Sequence, residues 1–305
     1  MSTDRMQAFA DEIGPAGPVT CVGGRTQWDV GGSVDPKARE VCAPAGIIAF
    51  DPAEMTVKLW AGTTVAELDA ALAGGGQMVA LPDIDGATVG GVLAVGHSSI
   101  HRLADGHVRD TLLQARVVMA DGNVMTAGGP TVKNVTGFDL CRVLVGSLGT
   151  LGFIGEVILR TRPRPVERRW LRTESDPFAL AARLFRPASI LWDGTSTWVC
   201  LAGHPLDVAA QAALVPDATH VDGPPSIPSG RASLRPSQLR TLPSRANSPF
   251  VAEVGVGIVH TDSPDELRPS GPATSDPSVV AIHHRLSERF DPTGRFNPGR
   301  KLLES

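Results

Sequence analysis

Three glycine clusters in the first half of the chain limit what it can fold into more than any other feature. They are Gly23-Gly24, Gly90-Gly91 with Gly96, and Gly146 with Gly149 and Gly152. The chain has 33 glycines in 305 residues, and most lie before residue 160. Glycine in excess of the usual ~7% marks backbone that turns tightly or stands close to something. The chemistry is therefore expected in that half.

The surrounding pattern is that of a folded α+β protein. Pro18–Val22, Gly46–Phe50 and Thr56–Trp60 are short β-branched or apolar runs bounded by turns, and each predicts a strand. Thr63 or Thr64 as N-cap, with Glu67 three residues after Thr64 ahead of an apolar-periodic stretch, predicts a capped helix that Gly74-Gly75-Gly76 stops. Thr111–Met119 and Arg142–Arg160 hold further apolar segments around the turn at Asp121-Gly122-Asn123. Past Arg160 the composition shifts at the Pro/Arg stretch TRPRPVERR, a boundary signal. Strand-like runs follow at Ser189–Trp192, Thr197–Ala202 and Phe250–His260, and a helix is expected over Ser278–Phe290. The Pro/Ser-rich stretch 215–248 predicts loops or disorder, as does 261–278. Two domains result, 1–162 (with subdomains of about 1–60 and 61–162) and 163–305.

Composition excludes several functions. Net charge is −4 and no run of Lys/Arg occurs, which argues against a nucleic-acid surface. Four scattered cysteines with no C-x-x-C pair indicate neither a disulfide framework nor a zinc or iron–sulfur site, so no metal is expected and a reducing cytoplasmic setting is. The N-terminus lacks the form of a secretory signal, and the longest apolar stretches are too short to span a bilayer, so no direct membrane insertion is expected.

Val22-Gly23-Gly24-Arg25-Thr26-Gln27 directly follows a strand. Successive glycines let several backbone N–H groups point into one concavity that suits a pyrophosphate, with Thr26 and Gln27 as further donors. Taken alone, the segment is more readily a hairpin turn. The second block, Leu81-Pro82 through Ala87-Thr88-Val89-Gly90-Gly91 to Gly96-His97-Ser98, is uncharged from Gly86 to Ile100. It would allow a flat ligand or a phosphate to lie on backbone, and a tightly packed helix start gives the same pattern. The third, Gly146-Ser-Leu-Gly149-Thr-Leu-Gly152-Phe153-Ile154, has G-x-x-G-x-x-G spacing rather than a dinucleotide fingerprint, and no P-loop occurs, so an NAD enzyme is disfavoured.

Together these blocks resemble the PCMH-type FAD-binding family of the vanillyl-alcohol oxidase superfamily. The match runs through Val22–Thr26, Ala87–Gly91, Gly106-His-Val108-Arg109-Asp110 leading to Ala120-Asp121-Gly122, and Ser147–Gly152. Val132-Lys133-Asn134-Val135-Thr136-Gly137-Phe138-Asp139-Leu140 and the terminal Phe290-Asp-Pro-Thr-Gly-Arg-Phe-Asn297-Pro-Gly-Arg300 resemble segments of the glycolate oxidase E (FAD-binding) subunits and related 2-hydroxyacid dehydrogenases. The resemblance implies an α+β fold, with a PCMH-type FAD-binding domain of two α/β subdomains followed by a smaller, reduced cap domain. It implies FAD held by Val22, Gly23, Gly24, Arg25, Thr26, Gln27, Pro82, Ala87, Thr88, Gly90, Gly91, Gly96, Ser98, Val108, Arg109, Lys133, Asn134, Gly149, Gly152, Ile154 and Asn297. Some members attach FAD covalently through a His in the first glycine loop. Arg25 and Thr26 stand there instead, so noncovalent FAD is expected. Arg25, Arg102, Arg109 and Lys133 are candidates to neutralise pyrophosphate or reduced flavin.

The implied chemistry is hydride transfer from a small 2-hydroxyacid to flavin N5, beside a D-type flavoprotein and an iron–sulfur subunit through which the chain would meet a membrane. The second half departs from the family. Glu253-Val-Gly255-Val-Gly257-Ile-Val-His260 stands where relatives carry H-x-G-D-G-N-x-H, which leaves no three-ligand metal set and His260 either as the residual general base or as a structural histidine on a strand. This erosion favours an accessory flavin-binding subunit without a substrate site of its own, while the FAD blocks are shared by both readings. A stand-alone FAD oxidoreductase on another substrate is the third option.

Overall fold

The computed structural model describes residues 2–130, 139–267 and 277–302. The chain forms two compact units, one from Met1–Ser99, His107–Arg164 and Thr274–Ser305, the other from Ile100–Gly106 and Pro165–Ala273.

In the first unit a parallel pair, β1 (Val19–Cys21) and β2 (Arg39–Val41), precedes the main sheet. That sheet is built from β3 (Ile47–Asp51), β4 (Thr56–Trp60), β6 (Leu112–Val118), β7 (Val124–Gly128) and β8 (Phe153–Arg160), in the order β3-β4-β8-β6-β7. All its pairings are antiparallel. A short pair, β5 (Gln77–Met78) with β9 (Arg162–Pro163), stands apart. The centre of the main sheet falls to β8 because its run Phe-Ile-Gly-Glu-Val-Ile-Leu is nearly continuous in apolar residues and is buried throughout. Glu156 is the exception in that run, 1% exposed, and Lys58 Nζ at 2.9 Å and Arg116 Nη1 at 3.7 Å from the flanking strands compensate its charge.

Helix Val65–Ala73 starts where the capping signal predicts. Thr64 Oγ1 accepts from the Glu67 amide at 3.1 Å, and Glu67 Oε2 accepts from the Thr64 amide at 2.9 Å. Each such cap contributes about 1 kcal/mol. Leu68 and Leu72 point from this helix into the core, with Val57, Leu59, Val92, Leu93, Val157 and Leu159.

The second glycine block is a helix start. Thr88 caps helix Val89–Val95 by accepting from the Gly91 amide at 3.2 Å, and Gly96 ends it in the left-handed region. Helix Ser2–Ile13 lays Met6 and Phe9 over Gly155, where a Cβ would lie 2.5 Å from the Met6 sulfur.

The end of the chain returns to its beginning. Val19 and Phe296 form a parallel bridge, with Val19 N–H donating to Arg295 O and Asn297 N–H to Val19 O, both at 2.9 Å. Arg295, 5% exposed, donates to five carbonyl oxygens, those of Ile13, Gly14, Ala16, Gly17 and Ala120. The residues around Asn297 therefore belong to the first unit and not to a 163–305 domain, because β1 offers an open ladder and the carbonyls at 13–17 need donors.

The second unit is an antiparallel seven-stranded sheet of β10 (Glu167–Thr173), β11 (Ser189–Trp192), β12 (Thr197–Gly203), β13 (Thr219–Val221), β14 (Arg231–Ser233), β15 (Phe250–Glu253) and β16 (Ile258–Thr261). Their order is β13-β10-β12-β11-β15-β16-β14. One face packs Ile190, Val199, Leu201, Ala232, Ala252 and Val259 against helices Pro177–Arg183, Pro205–Ala212 and Pro264–Leu267. The other face carries Trp170, Leu191, Cys200 and Val251, with Ile100 and Ala104 of the short crossing segment.

Two expectations change here. The run Phe250–His260 is a hairpin rather than one strand, because Gly255 and Gly257 (φ 84° and 93°) reverse the chain. The 215–248 stretch supplies β13, β14 and the 3₁₀ turn Pro236–Ser244, whose Leu239 and Leu242 are fully buried. These strands exist through tertiary pairing, which local composition does not report.

Candidate functional site

A two-lobed cleft opens in the first unit. The larger lobe, about 250 Å³, is lined by Val22, Gly23, Cys42, Ala43, Ala61, Gly62, Thr88, Gly90, Gly91, Ser147, Gly149, Gly152, Phe153 and Ile154. The smaller, about 90 Å³, runs along Gly24, Arg25, Thr26, Gln27, Trp28, Val30, Leu148 and Arg300. Cys21, Gly23, Thr88, Gly91, Ala94 and Asn297 line both lobes, so the two are one continuous groove. Nine of the seventeen residues that line the larger lobe are glycine or alanine, so a ligand there would lie largely on backbone.

The first glycine loop is built as an anion cradle. Among the described residues no protein group accepts from the backbone N–H of Gly23, Gly24, Arg25 or Thr26. Arg25 sits in the left-handed region (φ 54°), which turns consecutive N–H groups toward a common side. Side chains are excluded here, since a Cβ on Gly23 would overlap Thr88 Oγ1 and one on Gly24 would overlap the carbonyl oxygen of Gly86. Loop one can lie against the Thr88 helix start only as glycine. Four open donors in a row fit the pyrophosphate of a dinucleotide, each bond to a charged oxygen contributing roughly 1.5–3 kcal/mol.

Trp28 closes the narrow lobe. The guanidinium groups of Arg25 and Arg300 each stand 4.8 Å from its ring centroid. Arg300 also donates to the carbonyls of Val30 (2.7 Å) and Gly32, and Arg25 pairs with Glu40 at 2.6 Å. Gln27 Nε2 lies 3.2 Å from His97 Nδ1.

Asn297 ties the groove together. Its Oδ1 accepts from Thr20 Oγ1 at 2.5 Å and from the Cys21 amide at 3.3 Å, while Nδ2 donates to Leu148 O at 2.6 Å. Its backbone is left-handed (φ 44°), which asparagine tolerates.

The structure therefore brings together Val22, Gly23, Gly24, Arg25, Thr26, Gln27, Thr88, Gly90, Gly91, Gly149, Gly152, Ile154 and Asn297. It places six other candidates elsewhere. Pro82 is buried, and Ala87 and Val108 are core residues at 2% and 1% exposure. Gly96 packs on Gly146, Ser98 accepts from the Val108 amide at 3.1 Å, and Arg109 is exposed in a 3₁₀ turn. Arg102 belongs to the second unit. Lys133 and Asn134 lie outside the described residues. Trp28 and Cys42 line the groove without a motif to announce them, and Trp28 carries only its adjacency to the first glycine block as a signal. Arg300 closes the terminal block Phe290–Arg300, which singled out its Asn297 and not the arginine.

In the second unit His260 Nε2 lies 2.8 Å from Glu253 Oε1, both on β15–β16. Glu253 stands at the first histidine position of the resembled pattern and engages His260 at its last. Among the described residues no group of three or more His, Cys, Asp or Glu side chains could hold a metal ion, and no helix is long and apolar enough to cross a membrane.

Comparisons with known proteins agree with this geometry. Residues 6–128 match the FAD binding domain family. The chain is 26% identical to the glycolate oxidase subunit GlcE of Escherichia coli strain K12, over 99% of this chain and 98% of that one. It is 38% identical to a D-lactate dehydrogenase of Archaeoglobus fulgidus over 34% of this chain and 24% of the relative. Identity to the glycolate oxidase subunit GlcD of Bacillus subtilis is 37%, over 28% of this chain and 18% of the relative. Both shorter matches leave most of each relative's own length uncovered. In fold the chain resembles alkyldihydroxyacetonephosphate synthase, with a TM-score of 0.69 at 14% identity over 96% of this chain and 73% of that one.

Proposed function

Since residues 6–128 are an FAD binding domain of the kind found in FAD-linked oxidoreductases, we propose that the chain is the FAD-binding subunit of a glycolate oxidase-like 2-hydroxyacid dehydrogenase complex. The observation that carries this reading is the run of open N–H donors at Gly23–Thr26 along the groove. End-to-end likeness to a glycolate oxidase subunit narrows it further.

In this reading the amides of Gly23, Gly24, Arg25 and Thr26 hold the pyrophosphate, and FAD is dissociable. Gly90, Gly91, Gly149 and Gly152 keep the floor of the groove free of side chains, and Asn297 fixes the spacing of its two walls. Bound FAD supplies an acceptor at flavin N5 for the hydride of the substrate α-carbon. His260 is the general-base candidate of the second unit, with Glu253 holding its imidazole. A D-type flavoprotein and an iron–sulfur subunit complete the complex.

The purified chain should show flavin absorption bands, or gain them on adding FAD. An apoprotein that never binds FAD would end this proposal. Anaerobic glycolate should then bleach the bands. Bleaching by the chain alone marks an independent catalyst, and bleaching only after adding the other subunits marks the accessory role.

A further inference from the structure

The narrow lobe of the groove is lined by two cations from opposite ends of the chain, Arg25 of the first glycine loop and Arg300 of the last residues. Their charges are compensated differently. Arg25 has Glu40 at 2.6 Å. Arg300 is only partly exposed, and among the described residues it has no carboxylate within ion-pair distance. Burial lowers its pKa, and Asp29 raises it from farther away. A cation taken partly out of water without a counter-charge is costly unless a ligand supplies one.

Arg300 is also held so that one edge of its guanidinium stays open. Both carbonyls that it meets, Val30 O at 2.7 Å and Gly32 O, accept from Nη1. Nε and Nη2 have no acceptor among the described residues. These two nitrogens carry parallel N–H bonds, the edge with which a guanidinium meets a phosphate bidentately. The side chain is fixed in place by its surroundings. Its guanidinium lies 4.8 Å from the Trp28 ring centroid, while Lys301 N–H donates to Gly31 O and Asp35 N–H to Pro298 O, both at 2.8 Å. A Cβ on Gly299 would stand 2.6 Å from the Ser33 carbonyl oxygen, so the chain end lies flat on the turn 28–35.

Size and neighbours select the anion. The lobe, about 90 Å³, has room for roughly three waters, which suits a phosphate group and is too small for either ring system of a flavin dinucleotide. Its wall also carries Gly24, Arg25 and Thr26, whose backbone N–H groups have no acceptor among the described residues. Those amides orient an anion and bring no net charge to it. Arg300 brings the charge.

Building on the reading that the groove holds FAD, we propose that the Nε–Nη2 edge of Arg300 grips the pyrophosphate together with the amides of the first glycine loop, so that cofactor and chain end hold each other in place. Linkage makes the effect reciprocal. Whatever the anchored end adds to FAD affinity, bound FAD adds to the anchoring of the end. The terminal block then holds two residues with separate tasks, Asn297 for the spacing of the walls and Arg300 for charge.

The test uses the full chain freed of flavin. Ligand-observed NMR titration with ADP, which carries the pyrophosphate, and with adenosine, which does not, reads affinity. Absorbance on gel filtration reads FAD uptake. Arg300→Gln should weaken ADP tenfold or more and leave adenosine near wild type. Arg300→Lys, which keeps the charge without the fork, should recover part of the loss. Trypsin with mass spectrometry reads the chain end through cleavage after Lys301, which releases residues 302–305. FAD or ADP should slow that cleavage at least fivefold in the wild type, adenosine should not, and Arg300→Gln should lose the protection. Unchanged ADP affinity in Arg300→Gln overturns the proposal. An equal fall for ADP and adenosine overturns it as well, since it marks a residue that serves the fold alone, and so does a wild type that takes up FAD but not ADP. A wild type that never takes up FAD overturns the cofactor reading instead.

Discussion

Thr20 donates its hydroxyl hydrogen to Asn297 Oδ1 at 2.5 Å across 277 residues of chain, and both side chains are buried. The same asparagine donates to Leu148 O, so one side chain joins β1, the third glycine block and the chain's return. Asn297→Ala removes the acceptor for Thr20 and the donor for Leu148 and places a Cβ residue without side-chain compensation in the left-handed region. Leaving buried polar groups unpaired costs about 1–3 kcal/mol each. The expected loss is about 3 kcal/mol in urea unfolding of the FAD-free chain, with Asn297→Gly less harmful by about 1 kcal/mol because glycine accepts that backbone.

Gly24→Ala should abolish FAD retention on gel filtration, since its Cβ would overlap the Gly86 carbonyl and drive the donor loop off the Thr88 helix start. Gly74→Ala is the control. Gly74 is right-handed helical (φ −61°) with open space around its missing Cβ, so alanine there should leave FAD binding intact and add up to about 1 kcal/mol.

How much of this was legible in sequence depended on range. The Thr64–Glu67 cap and strand Thr56–Trp60 follow from neighbours a few residues apart, and they stand where the pattern put them. The loop Val22–Gln27 was equally local. Pro82, Ala87 and Val108 share the motifs' small or apolar character, yet they face the core, because a motif does not say which of its side chains point inward. Glu253 was seen only as a missing histidine, for its hydrogen bond to His260 needs the hairpin that Gly255 and Gly257 create. Arg295 gave no signal at all, since its five acceptors sit more than 170 residues away.

Cysteine labelling should report cofactor occupancy. Burial raises the thiols of Cys21 and Cys200 to about 12 and that of Cys141 to about 11, which leaves exposed Cys42 to react first with iodoacetamide at pH 8. Cys42 lines the larger lobe, so saturating FAD should slow its alkylation at least fivefold by mass spectrometry. Equal rates with and without FAD would place the cofactor elsewhere.

His101 should make stability depend on mild acid. Its ring packs 5.7 Å from Trp170, and its Nδ1 lies 3.0 Å from Ser189 Oγ. Burial, with a smaller contribution from Arg168, lowers its pKa from 6.5 to about 4. Between those values the unfolded chain binds a proton that the native state refuses, so stability rises with pH across the window. It should fall as pH drops from about 6.5 toward 4, by on the order of 3 kcal/mol at most. His101→Gln should flatten that slope in urea titrations at pH 4.5 to 7.

The clasp of Arg295, Phe296 and Asn297 on β1 also makes the groove a closure between distant parts of the chain. The glycine loop and the SLGTLG turn are each local, but the asparagine that bridges them comes from a segment far away in sequence. A nick or substitution that loosens Arg295–Asn297 would therefore open the groove while leaving every glycine of the loop in place.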